Sequence, residues 1–208
     1  MEAAARIALY AADTVPQNHG LVGTPKKHDA SAVEKAVDGL VSALARRHAA
    51  TPRLLLLGIA NGGVALAARL AHRLRARGVR CGTGTIDISF HRDDISRHPI
   101  PKEFAPTLIP HDVNGATVVL VDDVIHSGRT VKAALDELFD HGRPDRVELA
   151  VLVDRGGRRL PMNADYRGLT LEAGDDQKVI VHLDADDPAK DEVVTAPARP
   201  AARPAAAT

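Results

Sequence analysis

The sequence predicts an α/β domain, a mostly parallel twisted sheet with helices on both faces, and three observations carry that prediction. Strand-like apolar runs alternate with helix-like stretches along most of the chain. The runs R-L-L-L-L-G-I (Arg53–Ile59), T-V-V-L-V (Thr117–Val121) and V-E-L-A-V-L-V (Val147–Val153) are almost unbroken, as parallel strands buried on both faces are. A length of 208 residues with 45% hydrophobic content supports one sizeable core and leaves little for a second.

Taken in order, residues 1–28 hold Pro16, Gly20, Gly23 and Pro25 and no sustained period, and are expected to form an irregular extension. Ser31 and Glu34 have capping-box spacing, and Val33, Ala36, Val37, Leu40, Val41 and Leu44 keep a helical stripe to about His48. After the first buried run comes the turn Ala60-Asn61-Gly62-Gly63, then an Ala/Leu/Arg-rich helix from Val64 to Arg77, stopped by Gly78. Ile86, Ile88 and Phe90 alternate with polar residues as a strand does. A proline-rich loop (Pro99, Pro101, Pro106, Pro110) leads to the second run. Val131, Ala134, Leu135 and Leu138 mark a helix that ends before Gly142 and Pro144. The third run follows, and Val179–Leu183 is a last short strand. From Thr195 the chain is Pro/Ala-rich with no large apolar residue, so 195–208 is expected to be disordered. The folded domain should span 29–194.

Composition narrows the function. The 27 basic and 27 acidic side chains cancel, so no overall positive field recruits nucleic acid. Aromatic residues are 2% and Trp is absent, which leaves few platforms for stacking bases. Cys81 is the sole cysteine, which excludes an internal disulfide and a thiolate metal cluster. No apolar run approaches the length of a membrane span and no signal pattern opens the chain, so a cytoplasmic protein is expected.

The densest chemistry lies in V-V-L-V-D-D-V-I-H-S-G-R-T, Val118–Thr130. In a parallel sheet, ligands bind beyond the carboxyl ends of the strands, where turns feed helices. Asp122 and Asp123 stand at that edge, and the turn after them opens a helix whose backbone N–H groups and dipole favour an anion. Ser127 and Thr130 add hydroxyls, and Gly128 allows close backbone approach. A phosphate cradle preceded by two carboxylates suits a sugar phosphate, the acids accepting from ribose hydroxyls. Two acids after an apolar strand also occur as simple caps and in Walker-B strands, but no G-x-x-x-x-G-K-[ST] accompanies them in this chain.

This stretch resembles the phosphoribosyl diphosphate (PRPP) signature of type I phosphoribosyltransferases. I-D-I-S-F-H-R-D-D-I (Ile86–Ile95), A-L-D-E-L-F-D-H-G-R-P (Ala134–Pro144), L-A-V-L-V-D-R-G-G-R-R-L-P (Leu149–Pro161) and A-D-Y-R-G (Ala164–Gly168) narrow the resemblance to the PyrR family of pyrimidine operon attenuators and uracil phosphoribosyltransferases. It runs from about Asp29 to Val194. The resemblance implies the type I phosphoribosyltransferase fold, with a small hood over the sheet. It implies conversion of uracil and PRPP to UMP and diphosphate, with Mg2+ carried mainly by PRPP and assisted by Asp122 and Asp123.

By the same resemblance Asp122, Asp123 and Arg92 are the catalytic residues, Arg92 as the pyrophosphate ligand. The segment Ile125, His126, Ser127, Gly128, Arg129 and Thr130 holds the 5′-phosphate. Ala60, Asn61, Gly62 and Gly63 form the pyrophosphate loop, and Val153, Asp154, Arg155 and Arg158 meet the base. A homodimer or a higher homo-oligomer is implied.

The chain departs from the family pattern in several places. Asn61-Gly62-Gly63 replaces the usual Thr-Arg-Gly, removing a cation. His91 and His126 stand where aromatics are usual, and Ser127 where Thr is. On the first helix the family's Thr-Arg pair and later His fall on Asp38, Gly39 and Ser42, where an added negative charge opposes RNA phosphate. Catalysis is therefore expected ahead of leader-RNA binding. The alternative is a UMP- or PRPP-responsive RNA-binding attenuator with weak or no catalysis.

Overall fold

A computed structural model describes residues 27–89 and 106–198. Five parallel strands form the main sheet in the order β3-β2-β4-β5-β6. They are β2 (Leu54–Ile59), β3 (Cys81–Ile86), β4 (Thr117–Ile125), β5 (Arg146–Asp154) and β6 (Tyr166–Thr170). A second, three-stranded antiparallel sheet joins β1 (Lys27–His28), β8 (Glu192–Pro197) and β7 (Gln177–His182) and forms the hood. The helices are α1 (Ala30–His48), α2 (Gly62–Ala76) and α3 (Arg129–Asp140).

The unbroken apolar strands have the predicted cause. Leu54, Leu56, Val119, Val121, Ala150 and Leu152 face α1 and α2 in one cluster. Leu55, Leu57, Val118, Leu120, Leu149 and Val151 face α3 in the other. Successive side chains point to opposite faces of a strand, so a sheet covered on both sides needs apolar residues at every position. Within the hood-to-helix contact, Arg69 of α2 pairs with the buried Asp191 and donates to the Asp184 carbonyl at 2.8 Å. That bond fixes the hood to the helix whose first turn borders the site.

Several boundaries differ from expectation, each for a physical reason. The cap of α1 is Asp29, whose Oδ1 accepts the Ala32 N–H at 3.0 Å; Ser31 and Glu34 lie inside the helix. Asp caps as well as Ser, and here it precedes the first helical residue. The strand expected around Ile86, Ile88 and Phe90 lies earlier, in C-G-T-G-T-I, with five of its six residues only half-buried. An edge strand of small residues gives little apolar signal; Phe90 is outside the described residues. The polar edge strand β6 escaped for the same reason. The strands β1 and β8 claim Lys27–His28 and Thr195–Pro197, residues expected to belong to the two irregular ends. Their pairing is between distant segments, with His28 opposite Val193, which no local pattern reports. Among the described residues no helix is long and apolar enough to cross a membrane.

Candidate functional site

Because the main sheet is wholly parallel, all its carboxyl ends share one edge, and the site is built there. The strand β4 runs to Ile125 rather than stopping at Val121, so Asp122 and Asp123 are strand residues near its carboxyl end. Beside them β2 delivers the Ala60–Gly63 loop. A cleft of about 360 Å³ lies between, lined by Ala60, Asn61, Gly62, Ile88, Asp122, Asp123, Val124, Ser127, Arg129 and Thr130. Residues from three separate predicted motifs therefore meet in one cavity.

The acids are not equivalent. Asp122 is 5% exposed, and its Oδ1 accepts the Asp123 N–H at 3.0 Å. Burial first, and the neighbouring Asp123 charge second, push its carboxyl well above the ordinary range. Asp123 is half-buried and accepts the Val124 N–H at 2.7 Å. Its carboxylate lies directly on Gly62, where any Cβ would overlap it. A Cβ at Gly63 would overlap the Val121 carbonyl oxygen. The loop thus packs its bare backbone against the strand that carries the acids, which only glycine permits. The Ala60–Asn61 peptide bond is cis, and Asn61 makes no side-chain capping bond to α2.

The turn after β4 ends at Gly128, in the left-handed region at φ 90°, and α3 starts at Arg129. Gly128 is needed there because a Cβ is strained at positive φ. Arg129 and Thr130 occupy the first helical positions, whose N–H groups look outside the helix for partners, that of Arg129 donating to the Ser127 Oγ at 3.3 Å. The turn is held from behind. Arg159 and Leu160 both donate backbone N–H groups to the Ser127 carbonyl at 3.0 Å. Arg158 donates to the His126 carbonyl at 2.9 Å and to the Met162 carbonyl at 3.0 Å, and pairs with Asp154 at 2.7 Å.

The segment expected to meet the base therefore braces the turn that follows β4. Val153 pairs with Val124 and Leu169 inside the sheet. Asp154 is opposed by burial, but the Gly156 N–H and Arg158 outweigh it and hold its carboxyl low. Arg155 is 8% exposed and donates to the Gly174 carbonyl at 3.0 Å; its buried Nε has no partner among the described residues. The His126 ring lies against Gly157, where a Cβ would come within 2.7 Å of Nε2. Burial, then the charge of Arg155, lowers the His126 pKa. Ile125, His126, Val153, Asp154, Arg155 and Arg158 flank the cleft rather than line it. Arg92 and His91 lie outside the described residues. Ile88, read from sequence only as a strand residue, lines the cleft; its place just after β3 and before His91–Asp94 was the available signal.

Comparison with known proteins gives the family and the fold. A family model described as "Phosphoribosyl transferase domain" matches residues 28–188. The "Bifunctional protein PyrR" of Geobacter sp. (strain M21) is 42% identical over 159 residues, 76% of this chain and 90% of that protein. The protein of the same name from Corynebacterium efficiens is 53% identical over 133 residues, 63% of this chain and 69% of that protein. Among solved structures, the hypoxanthine phosphoribosyltransferase of Trypanosoma cruzi aligns with a TM-score of 0.59 at 21% identity, covering 82% of this chain and 95% of that one. A hypoxanthine-guanine phosphoribosyltransferase from Bacillus anthracis aligns at 0.54 with 19% identity, over 73% and 83% of the two chains. At such identities the structural likeness establishes the fold.

Proposed function

Since the chain belongs to the phosphoribosyltransferase domain family and, within it, to the PyrR family, we propose that it converts uracil and PRPP to UMP and diphosphate. The observation that carries this reading is the single cleft shared by Asp122 and Asp123, the Asn61–Gly62 loop and the Ser127–Thr130 turn. Those parts suit the two phosphorylated ends of PRPP with its ribose between them.

In the reaction a uracil nitrogen attacks the anomeric carbon. The bond from that carbon to the pyrophosphate oxygen breaks through an oxocarbenium-like state, and the uracil N–H proton passes to solvent. Backbone N–H groups from Ser127 to Thr130 hold the 5′-phosphate, with the Ser127 and Thr130 hydroxyls beside them. Asp123, and Asp122 behind it, accept from the ribose hydroxyls and favour positive charge developing on the sugar. The amides of Gly62 and Gly63 meet the pyrophosphate, with Arg92 as its guanidinium partner. Most of the rate comes from positioning.

The donor set fits Mg2+ that arrives with PRPP. Two adjacent carboxylates supply hard oxygen ligands, while no group of three or more His, Cys, Asp or Glu among the described residues forms a protein cage. Asp122 and Asp123 would hold Mg2+ that arrives with PRPP, and the ion would supply positive charge beside the pyrophosphate.

RNA binding ranks second because the cations nearest the altered helix are already engaged. Arg73 of α2 bonds Asp38 and Glu34 of α1, each at 2.8 Å, and Arg77 donates to Ser42 at 2.9 Å. Incubation with PRPP, Mg2+ and each free base, following pyrophosphate release, tests the main reading. Release with uracil is expected, and no release with any base overturns it in favour of the sensor. A gel shift with pyrimidine leader RNA, with and without UMP, should show little specific binding.

A further inference from the structure

A second pocket lies at the opposite edge of the main sheet, where β2, β3 and β4 begin. Its volume is about 580 Å³, within the range of small-molecule sites. The lining includes the first residues of β2 and β3 and Ala116, immediately before β4, so the length of the parallel strands separates it from the catalytic cleft. Nothing placed there by the phosphoribosyl transfer reading uses it.

The chemistry of this pocket is cationic in a chain whose formal net charge is zero. Arg53, Arg75 and Arg80 converge on it from the start of β2, the end of α2 and the approach to β3. Only Arg53 has a carboxylate partner among the described residues, Asp112 at 3.3 Å. Arg75 spends Nε and Nη2 on the Cys81 carbonyl, at 3.1 and 2.9 Å, which orients the guanidinium without cancelling its charge. Arg80 is exposed and has no ion pair among the described residues. His111 lies against Gly82, where a Cβ would come within 2.7 Å of its Nε2, so the imidazole is brought onto the strand by the missing side chain. Thr83 lines the pocket from the other face of β3, and Pro52 and Pro110 supply apolar wall.

We propose that this pocket binds a small phosphate-bearing molecule of the sugar phosphate or nucleoside monophosphate class. Guanidinium groups offer several N–H donors in fixed geometry to phosphate oxygens. The apolar walls accept a sugar or base. The open edge of β3, bonded on its outer side only through Thr85 and Leu108, leaves the mouth of the pocket free of a neighbouring strand among the described residues.

Residue-resolved amide NMR of the full chain tests this, with inorganic pyrophosphate and uridine 5′-monophosphate as separate probes. Amides of Cys81, Gly82 and Thr83 report this pocket, while those of Gly128 and Arg129 report the catalytic turn, so the two sites are read independently. Saturable shifts at residues 81–83 with either probe are expected, and the stronger probe identifies whether sugar and base contribute. The affinity should fall about tenfold in Arg80→Glu, an attractive charge having become repulsive within one Debye length. Thr83→Asp should weaken binding similarly, and the shifts at Gly128 and Arg129 should be unchanged in both variants. Absence of shifts at 81–83, shifts indifferent to both substitutions, or shifts produced only by an RNA oligonucleotide would each overturn the proposal.

Discussion

Two strand–turn–helix units meet at the edge that holds the candidate site, and they are built on different principles. The unit β4–turn–α3 is braced: three backbone carbonyls of the turn, from Ile125 to Ser127, accept donors from the Arg155–Leu160 segment. The unit β2–loop–α2 is bare. Among the described residues its loop is anchored to a neighbouring strand by the bond from the Ala60 N–H to the Ile86 carbonyl at 2.9 Å, its cap residue makes no side-chain capping bond, and two glycines press against β4. The difference teaches where binding energy resides. A phosphate turn held rigid before the ligand arrives loses little entropy on binding. The bare loop brings amides close but carries no cation at Gly62, so its grip depends on the acids opposite and on what they hold.

The largest test of that contrast removes both acids. Asp122→Asn with Asp123→Asn should lower kcat by about a hundredfold or more, the scale of losing oriented electrostatic groups at a reacting centre; steady-state pyrophosphate release measures it. Full activity in that variant would contradict the role given to them. Asp122→Asn alone should meanwhile raise the melting temperature at neutral pH. With its carboxyl pushed up by burial, the stability it contributes is intact below the ordinary value of 3.8 and lost as pH rises through the raised value. The gain over the parent protein should therefore close as calorimetry is carried down towards that ordinary value.

The glycines separate backbone from side-chain constraint. Gly63→Ala should cost about 1–3 kcal/mol in chemical denaturation, because its Cβ meets the fixed Val121 carbonyl oxygen. Gly62→Ala places its Cβ nearest the atoms of the Asp123 carboxylate, a side chain that can rotate away at the cost of its bond from the Val124 N–H. It should fold almost normally and lose activity, with the loss falling on kcat/KM for PRPP. Equal destabilisation by the two substitutions would erase the distinction. On the braced side, Gly128→Ala should cost about 1–2 kcal/mol from its left-handed φ alone. The smallest effect is expected from Arg158→Ala, which loses the bonds to His126 and Met162 and the Asp154 pair. It should raise KM for PRPP by a few-fold, seen in initial rates.

Much of this site was legible because its signals are local. The acids, the hydroxyls and the glycine of Val118–Thr130 are contiguous, and a strand running into a helix leaves them on one turn. The brace was not legible: nothing near Arg158 in sequence says that it holds the His126 carbonyl 32 residues away. Nor was the two-residue strand β1, whose partner β8 lies more than 160 residues later in the chain.

By itself, then, the sequence determined the alternation of the central strands and helices, the two-sided burial of β2, β4 and β5, the family, and the residues of the loops that follow β2 and β4. These follow from periodicity and from side-chain chemistry read over short spans. The tertiary structure alone decided that Asp123 rests on Gly62, that Asp122 is buried with its carboxyl held high, that the Arg155–Leu160 segment braces the turn after β4, and that Arg53, Arg75 and Arg80 converge at the far edge. Each of these depends on which distant segments the sheet sets side by side, and a carboxylate's environment is made by those neighbours rather than by its own residue type.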